Sequence, residues 1–228
     1  MTTVVLFDAG DTLFRVRGSV GDAYATVAAR HGVTVTADEI ELHFRAAFRQ
    51  MPPLAFPNAL PDELPQREFA WWKQLVATVF TGARFADFDA FFGELFDYFA
   101  DATPWELFPD TRPALDALKA RDLRLGLVSN FDGRLIRICE GLGIAGSFDA
   151  IVMSGRAGFA KPDPRIFGIA LVQLGVAAAQ AIHIGDSERE DVAGAHAAGL
   201  RAILIQRAGV VSSDADRVYD LRQLADRV

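Results

Sequence analysis

The sequence predicts an α/β protein, a doubly wound parallel sheet interrupted by an all-helical insertion. Short apolar runs at residues 4–7, 123–128, 150–153, 181–184 and 202–205 have the unbroken hydrophobicity of strands buried on both faces. Beyond residue 122 these runs alternate with helix-like stretches, as strands joined by crossover helices do. Between residues 17 and 105 apolar positions recur instead at spacings of three and four, with no strand-like run among them.

The first strand, Val4-Val5-Leu6-Phe7, runs into Asp8, and Gly10 lets the chain turn sharply at the strand's carboxyl end. The insertion follows, with helical spacing at 21–31, 37–50, 66–80 and 85–100. Pro52, Pro53, Pro57, Pro61 and Pro65 break it near the middle, which predicts two helical hairpins joined by an irregular loop. The stripe Phe85, Phe88, Phe91, Phe92, Leu95, Phe96 and Phe99 reads as the core of that insertion. Helical stretches at 112–120 and 133–142 flank the second strand. Gly143 and Gly175 stand where helix carboxyl caps are expected, and Gly199 follows the alanine-rich 192–198.

With 228 residues, 51% of them hydrophobic and 23% charged, the chain has ample material for one core plus a smaller inserted unit. A net charge of -7 and the lack of a basic patch argue against a nucleic-acid partner. The single cysteine, Cys139, cannot form an internal disulfide, which fits a reducing compartment. The run 4–7 is too short for a signal peptide or a membrane span, and the carboxyl end carries no lipidation motif. A soluble, cytoplasmic protein is therefore expected, with no membrane association and its oligomeric state open.

Four places carry chemistry, each at the end of an expected strand. Asp8 stands at the rim of the sheet, where open α/β proteins collect their ligands. Ser129-Asn130 ends the second run and offers a hydroxyl, an amide and backbone N–H groups to an anionic oxygen. In Lys161-Pro162-Asp163-Pro164 two prolines stiffen the approach of a lysine, one of only three in the sequence with Lys73 and Lys119, and Asp163 stands near a helix start. Gly185-Asp186 ends another run and is followed by Asp191, and acidic oxygens gathered at a sheet edge suit Mg2+, a hard cation that takes few carboxylates. His183, inside the apolar run, reads as a hydrogen-bonded core residue.

In this order the motifs Asp8-Ala9-Gly10-Asp11-Thr12, Ser129-Asn130, Lys161-Pro162 and Gly185-Asp186 with Asp191 resemble those of the haloacid dehalogenase-like (HAD) hydrolase superfamily. Gly21-Asp22-Ala23-Tyr24-Ala25, Trp71-Trp72, Ser129-Asn130-Phe131-Asp132 and residues 161–167 are similar to its branch of haloacid dehalogenase-like hydrolase domain-containing protein 3. The resemblance implies a Rossmann-like hydrolase core at 1–16 and 106–228 and a helical cap at 17–105. It also implies a Mg2+-dependent phosphatase acting on a small phosphorylated metabolite through an aspartyl-phosphate on Asp8. In that scheme Mg2+ lies among Asp8, the Gly10 carbonyl, Asp186 and the phosphate. Thr12 locks the nucleophile's loop and, with Ser129 and Asn130, belongs to the phosphate site. Lys161 balances charge, and Asp191 orients Lys161 or metal-bound water.

Gly10 departs from the pattern, because the superfamily's usual phosphatases carry there a second aspartate that protonates the leaving alkoxide and then activates water. Asp11 follows but reads as structural, since successive side chains point in different directions. Losing a general acid penalises alkyl esters most and aryl or acyl phosphates least. The competing expectations are a metal-independent 2-haloacid dehalogenase, a phosphonate-cleaving enzyme using Lys73 as Schiff base, and a non-catalytic protein that binds a phosphorylated metabolite or another protein. Lys73 itself reads as a surface lysine. Arg15, Arg17, Arg45 and Arg49 are candidate substrate contacts whose default role is surface solvation.

Overall fold

The computed structural model describes residues 2–207 and 216–228. Its strands are β1 (Val4–Phe7), β2 (Phe14–Val16), β3 (Trp105–Leu107), β4 (Arg124–Ser129), β5 (Ala150–Met153), β6 (Ala181–Gly185), β7 (Arg201–Ile205) and β8 (Arg217–Val218). Six of them form one sheet in the order β5-β4-β1-β6-β7-β8, every pair parallel. The chain builds outward from β1 in one direction through β4 and β5 and in the other through β6, β7 and β8. The crevice at the carboxyl ends of β4, β1 and β6 is therefore the place where this topology holds ligands.

Alternation along the strands makes the sheet two-sided. Val5 and Phe7 of β1 face a cluster with Leu115 and Leu118 of α5 (Thr111–Lys119) and with Leu135, Ile138 and Cys139 of the helix Arg134–Gly141. Val4 and Leu6 face the opposite cluster, with Ile166, Phe167, Ala170 and Leu174 of the helix Pro164–Leu174. All four β1 residues are fully buried, as a central parallel strand requires. Asp163 caps the helix Pro164–Leu174 by accepting from the Arg165 N–H, and Gly175 ends it in the left-handed conformation. Burial pushes the Cys139 thiol up to about 12, so its part is packing.

Between β2 and β3 lie α1 (Val20–Arg30), α2 (Ala37–Gln50), α3 (Leu64–Val79) and α4 (Phe88–Ala100). They enclose an apolar cluster of their own, with Tyr24, Ile40, Trp71, Leu75, Phe91 and Leu95 at its centre. Where the chain leaves and re-enters the core, β2 and β3 pair antiparallel in the register Arg15↔Glu106. The apolar pattern had marked neither strand: three residues are too few for a period, and their pairing joins positions far apart in sequence. The alanine-rich stretch 192–198 takes in the end of a π-helical turn, Glu188–Ala193, and the short helix Gly194–Ala197. Among the described residues no helix is long and apolar enough to cross a membrane.

Candidate active site

Asp8 follows β1 directly, its backbone N–H held by the Ile184 carbonyl of β6 at 2.8 Å. Its Oδ1 accepts two bonds, from Ser129 Oγ at the end of β4 (3.0 Å) and from Lys161 Nζ (2.6 Å). Lys161 also donates to Asp191 Oδ1 at 2.6 Å, so one ammonium lies between two carboxylates in a buried setting. Burial by itself would push the lysine down, but Asp8 and Asp191 more than reverse this and hold it well above the ordinary lysine range. Asp191 is likewise opposed by burial, and Lys161 and His183 bring it well below the usual carboxylate range. Lys161→Met should cost about 3–5 kcal/mol of stability, because it leaves two carboxylates without their buried counter-charge. Urea unfolding measures this, and a loss below about 1 kcal/mol would mean that solvent already shields the pair.

Single oxygens of Asp8, Asp186 and Asp191 all lie within 4.8 Å of one another. Three hard anionic donors at that spacing fit a divalent cation such as Mg2+. Asp191 is the least free of the three. Its Oδ1 accepts from Lys161 and from His183 Nε2 (2.8 Å), and its Oδ2 from the Ser187 N–H (3.0 Å). Asp8 and Asp186 therefore retain the oxygens best able to meet a cation, with Asp191 holding Lys161 in place behind them.

Asp186 opens to solvent on one side, yet protein surrounds much of the carboxylate. That crowding, followed by repulsion from Asp8 and Asp191, pushes it up to about 7. Asp11, Glu68 and Glu190 are also raised, each chiefly by burial. Groups raised in this way keep protons in the folded chain that the unfolded chain has released. Without added metal, the contribution of these four carboxylates to stability should therefore fall as pH rises from about 5 to about 7, where lowered carboxylates such as Asp191 are already ionised in both states. Thermal unfolding across that range tests this, and Mg2+ should raise Tm more at about pH 7 than at about pH 5, where protons compete with it. A Tm that rises steadily over the same window would contradict it.

The other expected residues divide into two groups. Thr12 is buried, and its hydroxyl donates to Asp186 Oδ1 at 3.4 Å, linking the loop after Asp8 to the end of β6. Asn130, expected to hold phosphoryl oxygens, commits its side chain to the protein. Oδ1 accepts from the Lys161 N–H (2.7 Å), and Nδ2 donates to the Lys161 carbonyl and to Glu190 Oε2, both at 3.0 Å. The amide thus fixes the backbone on which Lys161 stands. Gly10 bridges to Phe14 at the mouth of a turn, with space where a Cβ would stand, and Asp11 takes a left-handed φ of 54° while its N–H donates to the Phe14 carbonyl. Arg15 and Arg17 pair with Glu106, Arg45 pairs with Glu41 and Lys73 with Asp89, at exposed or half-buried positions. Arg49 is exposed as well.

Several neighbours were not assigned to the site by the sequence. His183 is buried against Phe167 and donates to Asp191, so the expected core histidine also steadies the lysine's partner. From α3, Glu68 accepts from the Gly133 N–H (3.1 Å) and Trp72 Nε1 donates to Asp132 Oδ2 (2.5 Å). Ser154 Oγ donates to the Leu54 carbonyl at 2.5 Å. The bonds of Glu68 and Trp72 fasten the helical insertion to the segment that follows Ser129, and that of Ser154 fastens it to the short helix Ser154–Ala157 after β5. Only the Ser-Asn-Phe-Asp run, with its polar residues after a strand, could have pointed to the segment after Ser129.

A parallel sheet with an aspartate after its first strand, a buried lysine facing it and two acids after β6 defines a hydrolase of the HAD type. A family model described as haloacid dehalogenase-like hydrolase matches residues 2–199, and the chain belongs to that family. It is 37% identical over 206 residues to haloacid dehalogenase-like hydrolase domain-containing protein 3 of Bos taurus, covering 89% of this chain and 81% of that protein. The crystal structure of a HAD phosphatase from Thermococcus onnurineus matches with a TM-score of 0.70 at 22% identity, covering 99% of this chain and 97% of that one. L-2-haloacid dehalogenase from Xanthobacter autotrophicus matches with a TM-score of 0.73 at 20% identity, covering 99% and 98%. At such identities the two structures speak to the fold, and the chemistry rests on the site.

Proposed function

We propose that the protein is a Mg2+-dependent phosphatase that uses Asp8 as nucleophile on small phosphate esters with good leaving groups. The observation that carries this reading is the convergence of Asp8, Asp186 and Asp191 within 4.8 Å, with Lys161 bridging two of them. A metal-independent attack on carbon has no use for that cluster, whereas phosphoryl transfer needs its anions neutralised. Asp8, the Gly10 carbonyl and Asp186 would hold the cation, which when bound offsets charge between the carboxylates and the phosphoryl group.

Asp8 Oδ1 is engaged by Ser129 and Lys161, whereas Oδ2 accepts no hydrogen bond among the described residues and is the oxygen free to attack. Its bond to phosphorus forms as the bond from phosphorus to the leaving oxygen breaks, and the electron pair departs with that oxygen. Water then attacks the aspartyl-phosphate, releasing inorganic phosphate and restoring the carboxylate. Lys161, kept charged by its two partners, stays an ammonium throughout and steadies the anion as it develops. Gly10 supplies no proton to the leaving group, so aryl and acyl phosphates should turn over well ahead of alkyl phosphates.

The test is p-nitrophenyl phosphate hydrolysis with Mg2+ and with EDTA. Turnover should require the cation, and turnover indifferent to EDTA would overturn the metal-dependent reading. Gly10 by itself also suits a reaction whose leaving group departs without a proton, as halide does. Halide release from 2-chloropropionate with EDTA present would favour that second reading.

A further inference from the structure

A partly open cavity of about 80 Å³ lies where the helical insertion meets the core. Its wall is almost wholly apolar and includes Tyr24, Trp72, Phe96, Trp105 and Phe131, with Arg134 as its one charged residue. That charge is already satisfied: Arg134 Nε and Nη2 donate to the two oxygens of the buried Asp132 at 2.9 and 2.6 Å. Its guanidinium also lies over the rings of Trp72 (4.8 Å) and Phe96 (4.1 Å). None of the buried polar atoms that lack a partner among the described residues belongs to this wall. A water there would find few hydrogen bonds and an anionic group would find no free cation, whereas a neutral apolar group meets matching surface.

The position relates the cavity to the site. The loop that places Ser129 against Asp8 continues into Phe131 and Arg134, two residues of the cavity wall. Val16 and Trp105, which mark the two crossings between insertion and core, complete that side. An engineered cavity of ~150 Å³ accepts benzene, so this smaller one has room for a branched chain of about three or four carbons.

We propose that the cavity seats the neutral apolar arm of the substrate, which rests on the phosphatase reading and narrows it to phosphates of short branched aliphatic groups. Acetyl phosphate and isovaleryl phosphate separate the two questions, since both leave as carboxylates of similar basicity and differ only in the arm. With Mg2+ present, kcat/KM should favour isovaleryl phosphate by roughly tenfold or more, given the contribution of each buried methylene. Val76→Phe, which fills the cavity from α3, should bring that ratio close to one. Val20→Phe is the second variant should the first fail to fold.

Titration of the wild-type chain with 3-methylbutan-1-ol reads the cavity without catalysis. It should shift the indole N–H resonances of Trp72 and Trp105 saturably, and Val76→Phe should abolish the shift. Equal kcat/KM for the two acyl phosphates, or a preference that survives both filling variants, overturns the proposal. Saturable alcohol binding without an acyl preference overturns the substrate role, and unshifted indole signals exclude the cavity as a site for this group. Failure to hydrolyse either acyl phosphate or p-nitrophenyl phosphate would instead overturn the phosphatase reading, with the indole titration still reporting on the cavity.

Discussion

Asp8→Asn is expected to lower phosphate-ester turnover by about 10^4-fold or more, the scale on which removing a covalent nucleophile acts. The amide keeps an oxygen that can accept from Ser129 Oγ and Lys161 Nζ, so the geometry around it has reason to persist. What disappears is the anionic oxygen that attacks phosphorus and one of the charges available to a cation. The measurement is steady-state hydrolysis of p-nitrophenyl phosphate with Mg2+, alongside circular dichroism and Tm to confirm a folded chain. Residual activity within about tenfold of wild type would place the nucleophile elsewhere and end the aspartyl-phosphate reading.

Gly10→Asp is expected to act in the opposite direction. A Cβ at position 10 would meet no atom within 4 Å, and Gly10 is not among the residues with positive φ, so a side chain fits without strain. The new carboxyl group would stand two residues beyond the nucleophile, where it can hand a proton to a leaving alkoxide. Alkyl phosphates should gain about 10^2 to 10^4 in rate, the range of general acid catalysis, and p-nitrophenyl phosphate much less. Comparing the two ester classes on both proteins measures this. Equal gains, or none, would mean that protonation does not limit alkyl ester turnover in the native chain. Asp11 is poorly placed to substitute, because its left-handed backbone and its N–H bond to the Phe14 carbonyl make it part of the turn itself.

The four strands expected after residue 122 lie within a residue of their observed limits, and the four helices of the insertion within about three. Their signals are local: an unbroken apolar run marks a strand buried on both faces, and a spacing of three and four marks a helix with one buried face. The β2 and β3 pair and the π-helical turn at Glu188–Ala193 carried no such signal, since a two-strand register and a single widened turn depend on distant partners. The same holds inside the site. Asp8 and Asp186 could be read from their places after strand ends, whereas Lys161, read from the prolines beside it, lies eight residues past β5 with the helix Ser154–Ala157 between. The bracing of Lys161 by Asn130 and the bond from His183 to Asp191 arise only when separate crossovers end side by side.

By itself the sequence determined the class of fold, the presence of a helical insertion and the inventory of acids, hydroxyl and lysine at the sheet's edge. Each of these is written in short-range periodicity or in a residue type beside a strand. Tertiary structure alone decided which oxygen of Asp8 is left without a hydrogen bond among the described residues, that Asn130 supports Lys161 through its backbone, and that aromatic residues of the insertion and Phe131 close around one apolar space. The physical reason is the same in each case: side-chain direction and burial depend on the packing of elements far apart in the chain, which no local pattern records.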